Sequence, residues 1–290
     1  MYSADFDYHR AKSLADVHRL LAANPGAKLL AGGHSLIPLM KLRLAAPAAV
    51  VDIGRIPELR GISKSGDSIR IGALTTHAEI AASADVQKGA AALAEAAGMV
   101  GDPAVRNRGT IGGNIAHADP ASDLPTVLVA LDAQVVAVGP KGERTIAADG
   151  FFTGIMTTTL ADDEIVTAVL VPVAARGQGS AYVKFANPAS RYAVIGAAAS
   201  ITASKNQCTA ARVAVGGLLP HASRARAVEG ALTGKALDAA AMAAAAAQVK
   251  TDLGREVTGD VFASAAYRTA VAPVYVRRAV AAAAARAGLV

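Results

Sequence analysis

Two glycine pairs, each closing an apolar run and each followed at once by a polar residue, constrain this chain more than any other feature. The first lies in Lys28-Leu29-Leu30-Ala31-Gly32-Gly33-His34-Ser35-Leu36 and the second in Thr110-Ile111-Gly112-Gly113-Asn114. Glycine admits φ > 0 and, lacking a side chain, lets successive backbone N–H groups come close to an anion. A single such pair is more often an ordinary tight turn after a strand. Two in one chain suggest a diphosphate held from two sides, with the hydroxyls of Ser35 and Thr110 and the amide of Asn114 as neutral donors, and so a dinucleotide. Neither pair is a nucleotide fingerprint by itself, since G-x-G-x-x-G and G-x-x-x-x-G-K-[ST] are both absent.

Other chemistry finds little support. The six histidines, His9, His18, His34, His77, His117 and His221, are scattered without metal-ligand spacing, so no metal site is expected. His34 and His117 stand beside the glycine pairs, where each either donates to phosphate or caps a turn. Ser35 has no G-x-S-x-G context, and no acid–base–nucleophile array is evident, so no catalytic residue is assigned. Asp123 stands at a helix start, where a capping role competes with a functional one. Lys184, alone in an apolar strand, either snorkels to solvent or faces an anion, because a buried unpaired ammonium is costly.

The chain has 290 residues, 53% of them hydrophobic, enough for one large or two moderate domains. Its net charge of +6 is dispersed, with tight pairs only at Arg106/Arg108, Arg224/Arg226 and Arg277/Arg278. Without aromatic platforms or a recognisable module, this argues against nucleic-acid binding. Arg106 and Arg108 read as a solvated face or as support for the neighbouring glycine loop. Cys208 is the single cysteine, so the chain cannot form an intrachain disulfide or hold an iron–sulfur cluster alone. It reads as an inert buried thiol in a reducing, cytoplasmic setting. No secretory signal is read at the N-terminus, and the alanine-rich runs at 236–249 and 279–287 are too short and too flanked by charge to span a membrane.

Periodicity predicts an α+β chain. Ser13 caps a helix through Val17, Leu20 and Leu21, and a short strand then delivers the first glycine pair. Strands follow at 48–53 and 68–74, a capping box at Thr75–Glu79 opens a helix, and a further helix is expected over 87–98. Ser122-Asp123-Leu124-Pro125 starts a helix to about Leu131, followed by strands at 133–138, 143–148 and 164–171. The Pro/Gly-rich stretch 172–179 is the boundary candidate. Beyond it come three antiparallel strands, 181–185, 196–203 and 209–217, then helices near Ser223, at 237–249 and at 263–287.

The fuller wording, Ala31-Gly32-Gly33-His34-Ser35-Leu36-Ile37-Pro38-Leu39-Met40-Lys41-Leu42-Arg43-Leu44 and Arg108-Gly109-Thr110-Ile111-Gly112-Gly113-Asn114-Ile115-Ala116-His117-Ala118-Asp119-Pro120-Ala121-Ser122-Asp123-Leu124-Pro125, closely resembles the FAD-binding medium subunit of the molybdenum hydroxylases. That family includes aerobic carbon monoxide dehydrogenase and xanthine dehydrogenase. Ala181-Tyr182-Val183-Lys184-Phe185 and Ser190-Arg191-Tyr192-Ala193-Val194 extend the likeness to the C-terminal part.

The resemblance implies a two-lobed FAD-binding domain of the vanillyl-alcohol-oxidase type over 1–176, with lobes of about 1–56 and 57–176, and a smaller α+β domain over 177–290. Leu29, Leu30, Ala31, Gly32, Gly33, His34, Ser35 and Leu36 would line the FAD pyrophosphate and ribityl chain, and Thr110, Ile111, Gly112, Gly113 and Asn114 would close over it, with His117 beside them. Asp123 would bond a sugar hydroxyl of the cofactor. Lys184 would lie by the isoalloxazine ring, Tyr192 near the ring face, and Val166 (or Ile165 in the neighbouring register) in apolar contact with the ring. Several eukaryotic members stack an aromatic on adenine where this chain has Val100, so adenine would be held by aliphatic contact alone.

The same resemblance implies partners. A large subunit would carry the molybdenum cofactor and the substrate, a small subunit would carry two [2Fe–2S] clusters, and this chain would pass electrons through FAD to an external acceptor, in a dimer of heterotrimers. Two other readings stay open: a standalone FAD-dependent oxidoreductase of the same fold, and a flavin-free docking subunit.

Overall fold

The computed structural model describes residues 2–205 and 207–288. The Ser13 hydroxyl accepts from the Asp16 N–H and starts the helix Leu14–Ala23, which buries Val17 and Leu20. This helix carries the chain between parallel strands, as a crossover must. The resulting three-stranded sheet has the spatial order Asp7–Arg10, Ala49–Asp52, Lys28–Leu30, with all neighbours parallel. Its carboxyl ends therefore bring Arg10, Asp52 and the first glycine pair to one edge, where ligands of open parallel sheets bind.

The next segment builds a five-stranded antiparallel sheet in the order Ile62–Ser65, Ser68–Gly72, Ile165–Pro172, Gln134–Gly139, Gly142–Ala147. Helices Ala91–Met99 and Asp123–Ala130 contribute to the same buried cluster as Ile69, Ile71, Val135, Val169 and Val171. Leu74 and Ile165 pack instead with Val17, Val51, Ile53 and Ile56, so the two lobes share a core. The expected capping box is present, with Glu79 N–H on Thr76 Oγ1 at 3.2 Å and Thr76 N–H on Glu79 Oε2 at 2.7 Å. The single helix expected over 87–98 is instead two, Ala84–Gly89 and Ala91–Met99. Gly89 lies so close to Ile69 that a Cβ would come within 2.9 Å of its Cδ1. The chain turns at Ala90, so that Ala84–Gly89 stays against strand Ser68–Gly72 while Ala91–Met99 packs against strand Gln178–Ala186.

The C-terminal part is a four-stranded antiparallel sheet, Gln178–Ala186, Ala193–Ser204, Gln207–Gly216 and Ser223–Arg224, covered by the long helix Ala265–Arg286 and by shorter helices. Three strands and a helix near Ser223 were expected. Ser223 and Arg224 instead pair with Val215 and Ala214, and the helix begins at Arg226. Arg224 is clamped by Glu229 and Asp149, which holds that stretch extended. Cys208 is buried, as expected. Among the described residues, no helix is long and apolar enough to cross a membrane. Helices Ala91–Met99 and Asp123–Ala130 pack against strands Gln178–Ala186 and Ala193–Ser204, forming the junction between the two parts.

Candidate cofactor site

At the first glycine pair the strand Lys28–Leu30 stops and Gly33 turns with φ +77° before the helix Leu36–Lys41. Among the described residues, no acceptor within the chain takes the N–H groups of Gly32, Gly33, His34, Ser35 or Leu36. A run of amides left free on a loop is an anion-binding concavity. The His34 ring does not extend this donor set through Nδ1, which lies 3.0 Å from the Gly32 carbonyl and caps the turn.

The second glycine pair is built differently from expectation. It is not a loop but the first turns of the helix Ile111–His117. The Thr110 hydroxyl accepts from Gly113 N–H at 3.2 Å, while the N–H groups of Ile111, Gly112 and Asn114 go to Thr75, Ala73 and Thr110 carbonyls. Among the described residues, the Thr110 N–H is the one backbone donor of this motif without an acceptor in the chain, and side-chain protons supply the rest. The Thr110 hydroxyl keeps its own proton, and Asn114 keeps its NH₂ because Oδ1 accepts from Ser122 at 2.8 Å. The glycines serve close packing. A Cβ on Gly112 would meet Ala73 Cβ at 2.5 Å, and one on Gly32 would meet the Arg108 carbonyl oxygen at 2.1 Å. The two motifs thus touch backbone to backbone across the lobes.

A cavity of about 420 Å³ opens at this joint, lined by Leu30, Ala31, Gly32, Gly33 and Thr110. Arg10, Arg55, Arg60 and Asp52 also line it, none of them singled out from the sequence. Arg10 and Asp52 had a legible signal, since each ends a strand of the parallel sheet. Arg108 lines the cavity too, but Arg106 turns away, donating from Nη1 to the carbonyls of Val100 (2.9 Å) and Gly101 (3.1 Å). Arg106 therefore ties down the end of the helix that carries Val100 rather than serving the glycine loop.

Asp123, Val166, Lys184 and Tyr192 do not line that cavity. Asp123 and Lys184 meet at the domain junction, where Lys184 Nζ lies 2.8 Å from Asp123 Oδ2, with side-chain exposures of 2% and 5%. Lys184 therefore faces an anion and does not snorkel. Its other protons go to the Met99 and Arg191 carbonyls at 2.9 and 2.7 Å. Tyr182, not assigned a role from the sequence, donates to Asp123 Oδ1 at 2.5 Å. Burial pushes the Asp123 carboxyl up, against the pull of Lys184 and Tyr182, each donating to one oxygen. Tyr192 is 42% exposed, and its hydroxyl is raised by burial and by Asp119 and Asp123. Val166 is buried with the second-lobe core, whereas Ile165 belongs to the core shared with the first lobe.

His77 lies directly behind the second motif. Its N–H donates to the Gly109 carbonyl at 3.0 Å, and a Cβ on Gly109 would strike its ring at 2.9 Å. The imidazole is 2% exposed, and burial, with His34 and Arg106 adding repulsion, pushes it down to about 4. A histidine lowered on folding stabilises the native state fully above its unfolded value near 6.5, and this contribution is lost as pH falls from there through about 4. The full displacement is worth roughly 3 kcal/mol. Urea unfolding between neutral and mildly acidic pH should show wild type losing much of this, while His77→Gln shows a flatter pH slope. Parallel slopes would rule His77 out as the source.

A parallel-sheet lobe, an antiparallel lobe and an open amide loop at their joint define a chain that belongs to the FAD-binding subunits of the molybdenum hydroxylases. Residues 4–174 match the family described as FAD binding domain in molybdopterin dehydrogenase, and residues 180–283 match the CO dehydrogenase flavoprotein C-terminal domain. The chain is 43% identical over 284 residues to the carbon monoxide dehydrogenase medium chain of Hydrogenophaga pseudoflava, covering 97% of this chain and 98% of that one. It is 39% identical to the 6-hydroxypseudooxynicotine dehydrogenase complex subunit alpha of Paenarthrobacter nicotinovorans, covering 96% and 94%. Among solved structures, a carbon monoxide dehydrogenase from Hydrogenophaga pseudoflava, in a form lacking the Mo-pyranopterin moiety of its cofactor, matches with a TM-score of 0.94 at 44% identity over 99% of both chains.

Proposed function

We propose that this chain binds FAD at the joint of its two lobes and serves as the electron exit of a molybdenum-dependent dehydrogenase. The single observation that carries the reading is the run of free amides from Gly32 to Leu36, whose first two residues, Gly32 and Gly33, line one cavity with Thr110. They offer a diphosphate a neutral, preorganised donor set, and Arg10, Arg55, Arg60 and Arg108 add positive charge around it. Leu30 and Ala31 supply apolar wall, with Leu29 behind them on the first-lobe core, and the Asn114 amide supplies a further donor. Asp123, Lys184, Val166 and Tyr192 would serve the flavin end, with Val100 beside adenine and His117 at the end of the second-motif helix.

When bound, FAD accepts and releases electrons one or two at a time, which lets it join one-electron centres to a two-electron acceptor. The protein's part is to hold the cofactor and set its electrostatics. A fixed cation at Lys184 favours negative charge nearby. The chain's own residues supply no acid–base–nucleophile array, and its single cysteine cannot hold an iron–sulfur cluster. Membership of the family assigns substrate oxidation to a large molybdenum subunit, and delivery of electrons to a small subunit with two [2Fe–2S] clusters, in a dimer of heterotrimers in the cytoplasm that reduces an external acceptor. Within this chain we divide the FAD domain from the C-terminal domain at 176/177. The test is acid precipitation of the purified chain. Flavin recovered in the supernatant is the expected result, and flavin in the pellet, or none, contradicts non-covalent FAD binding.

A further inference from the structure

Tyr182 lies on the C-terminal sheet, yet its ring is part of the core of the second FAD-domain lobe. Lys184 follows two positions later on the same strand and so projects from the same face. The two residues grip opposite oxygens of one carboxylate, Tyr182 on Asp123 Oδ1 at 2.5 Å and Lys184 on Oδ2 at 2.8 Å. The opposing strand makes room for this. Gly196 pairs with Lys184, and a Cβ there would come within 2.7 Å of the Tyr182 hydroxyl. Phenylalanine would fill the core equally well, so the hydroxyl is not required by packing, and a buried hydroxyl is costly unless bonded. Asp123 is the group to which it donates.

We propose that Tyr182 is a positioning residue of the flavin site. It fixes the plane of the Asp123 carboxylate and favours its ionised form, and through that carboxylate it holds Lys184 in place as a cation. The hydroxyl itself stays protonated, since burial and Asp123 push it well above the ordinary phenol range. The other groups facing Asp123 are Arg191 and Tyr192 on the hairpin between the two strands, with Asp119 opposite Tyr192. This inference rests on the assignment of Asp123 and Lys184 to FAD made above.

The test compares Tyr182→Phe, Asp123→Asn and the double variant in the full-length, FAD-loaded protein. FAD dissociation is followed by flavin fluorescence over about pH 5 to 8, with Tm recorded in parallel. Tyr182→Phe should weaken FAD about tenfold and move the acid limb of the affinity profile up by about one pH unit. Asp123→Asn should weaken FAD and remove the limb, and the double variant should be no worse than Asp123→Asn. If Tyr182→Phe lowers Tm but leaves affinity and its pH profile unchanged while Asp123→Asn weakens FAD, Tyr182 is merely structural and the inference is overturned, with the site assignment intact. If Asp123→Asn itself leaves FAD affinity unchanged, the assignment of Asp123 fails and the inference falls with it.

Discussion

Replacing Gly32 with alanine is expected to weaken FAD binding at least about 100-fold, a loss of roughly 3 kcal/mol. The added Cβ would sit 2.1 Å from the Arg108 carbonyl oxygen, 2.8 Å from its carbon and 3.0 Å from Gly109 Cα, all of them backbone. None of these atoms can rotate aside, so the first loop must back away from the second lobe and the cavity must widen. Gly33 and Gly113 are less tightly boxed. A Cβ on Gly33 would meet the flexible end of Ile37 at 2.6 Å, though its φ of +77° strains any replacement, and one on Gly113 would meet Thr110 Oγ1 at 3.0 Å. Valine at Gly113 should therefore keep the fold while obstructing the cofactor's approach. Gly230→Ala is the control, because nothing lies within 4 Å of its Cβ and the helix it occupies favours alanine. Isothermal titration of apo-protein with FAD reads all three variants. Native affinity in Gly32→Ala would show that the joint is not the binding site.

Asp123→Ala should destabilise the folded chain by about 3 to 5 kcal/mol, since it strands a buried ammonium and a buried phenol at once. Lys184 would keep only carbonyl partners, and Tyr182 would lose its acceptor. Because the three residues come from both sides of the domain junction, the loss should appear as earlier unfolding in urea and as new protease sensitivity there. Adding Lys184→Met to Asp123→Ala should recover part of the loss by removing the unpaired charge. Strict additivity of the two substitutions would mean the pair is not coupled. Lys184→Met alone, once the flavin is bound, should lower the flavin reduction potential more than FAD affinity, because it removes a fixed positive charge while keeping most of the stem. Equal potentials in spectroelectrochemical titration would show that the lysine has no electrostatic role.

Local chemistry carried most of the legible fold. The Ser13 cap, the Thr76/Glu79 box and the alternation that buries Ile69 and Ile71 each act within a few residues, and each is in place. What escaped the sequence depended on contacts between distant segments. The break at Ala90 comes from the fit of Gly89 on Ile69, and the short fourth strand depends on Arg224 reaching Asp149. The site divides the same way. The first glycine pair behaves as its residues suggest. The second is likewise a glycine pair before a polar residue but is a capped helix, because the carbonyls of Thr75 and Ala73 take amides that a free loop would offer a phosphate. Lys184 raised the right question, anion or solvent, but only the fold places Asp123 and Tyr182 against it. Arg55 and Arg60 were invisible because no local pattern marks an arginine that reaches a cavity from a loop.

The most direct measurement of the central claim is anaerobic reduction of the flavin in the purified chain, alone and after co-expression with candidate molybdenum and iron–sulfur subunits. The account predicts that substrate of the complex leaves the flavin oxidised in the single chain and bleaches it once both partners are present. A single chain whose flavin is fully reduced and turned over by substrate, with no gain when the other subunits are added, would contradict it.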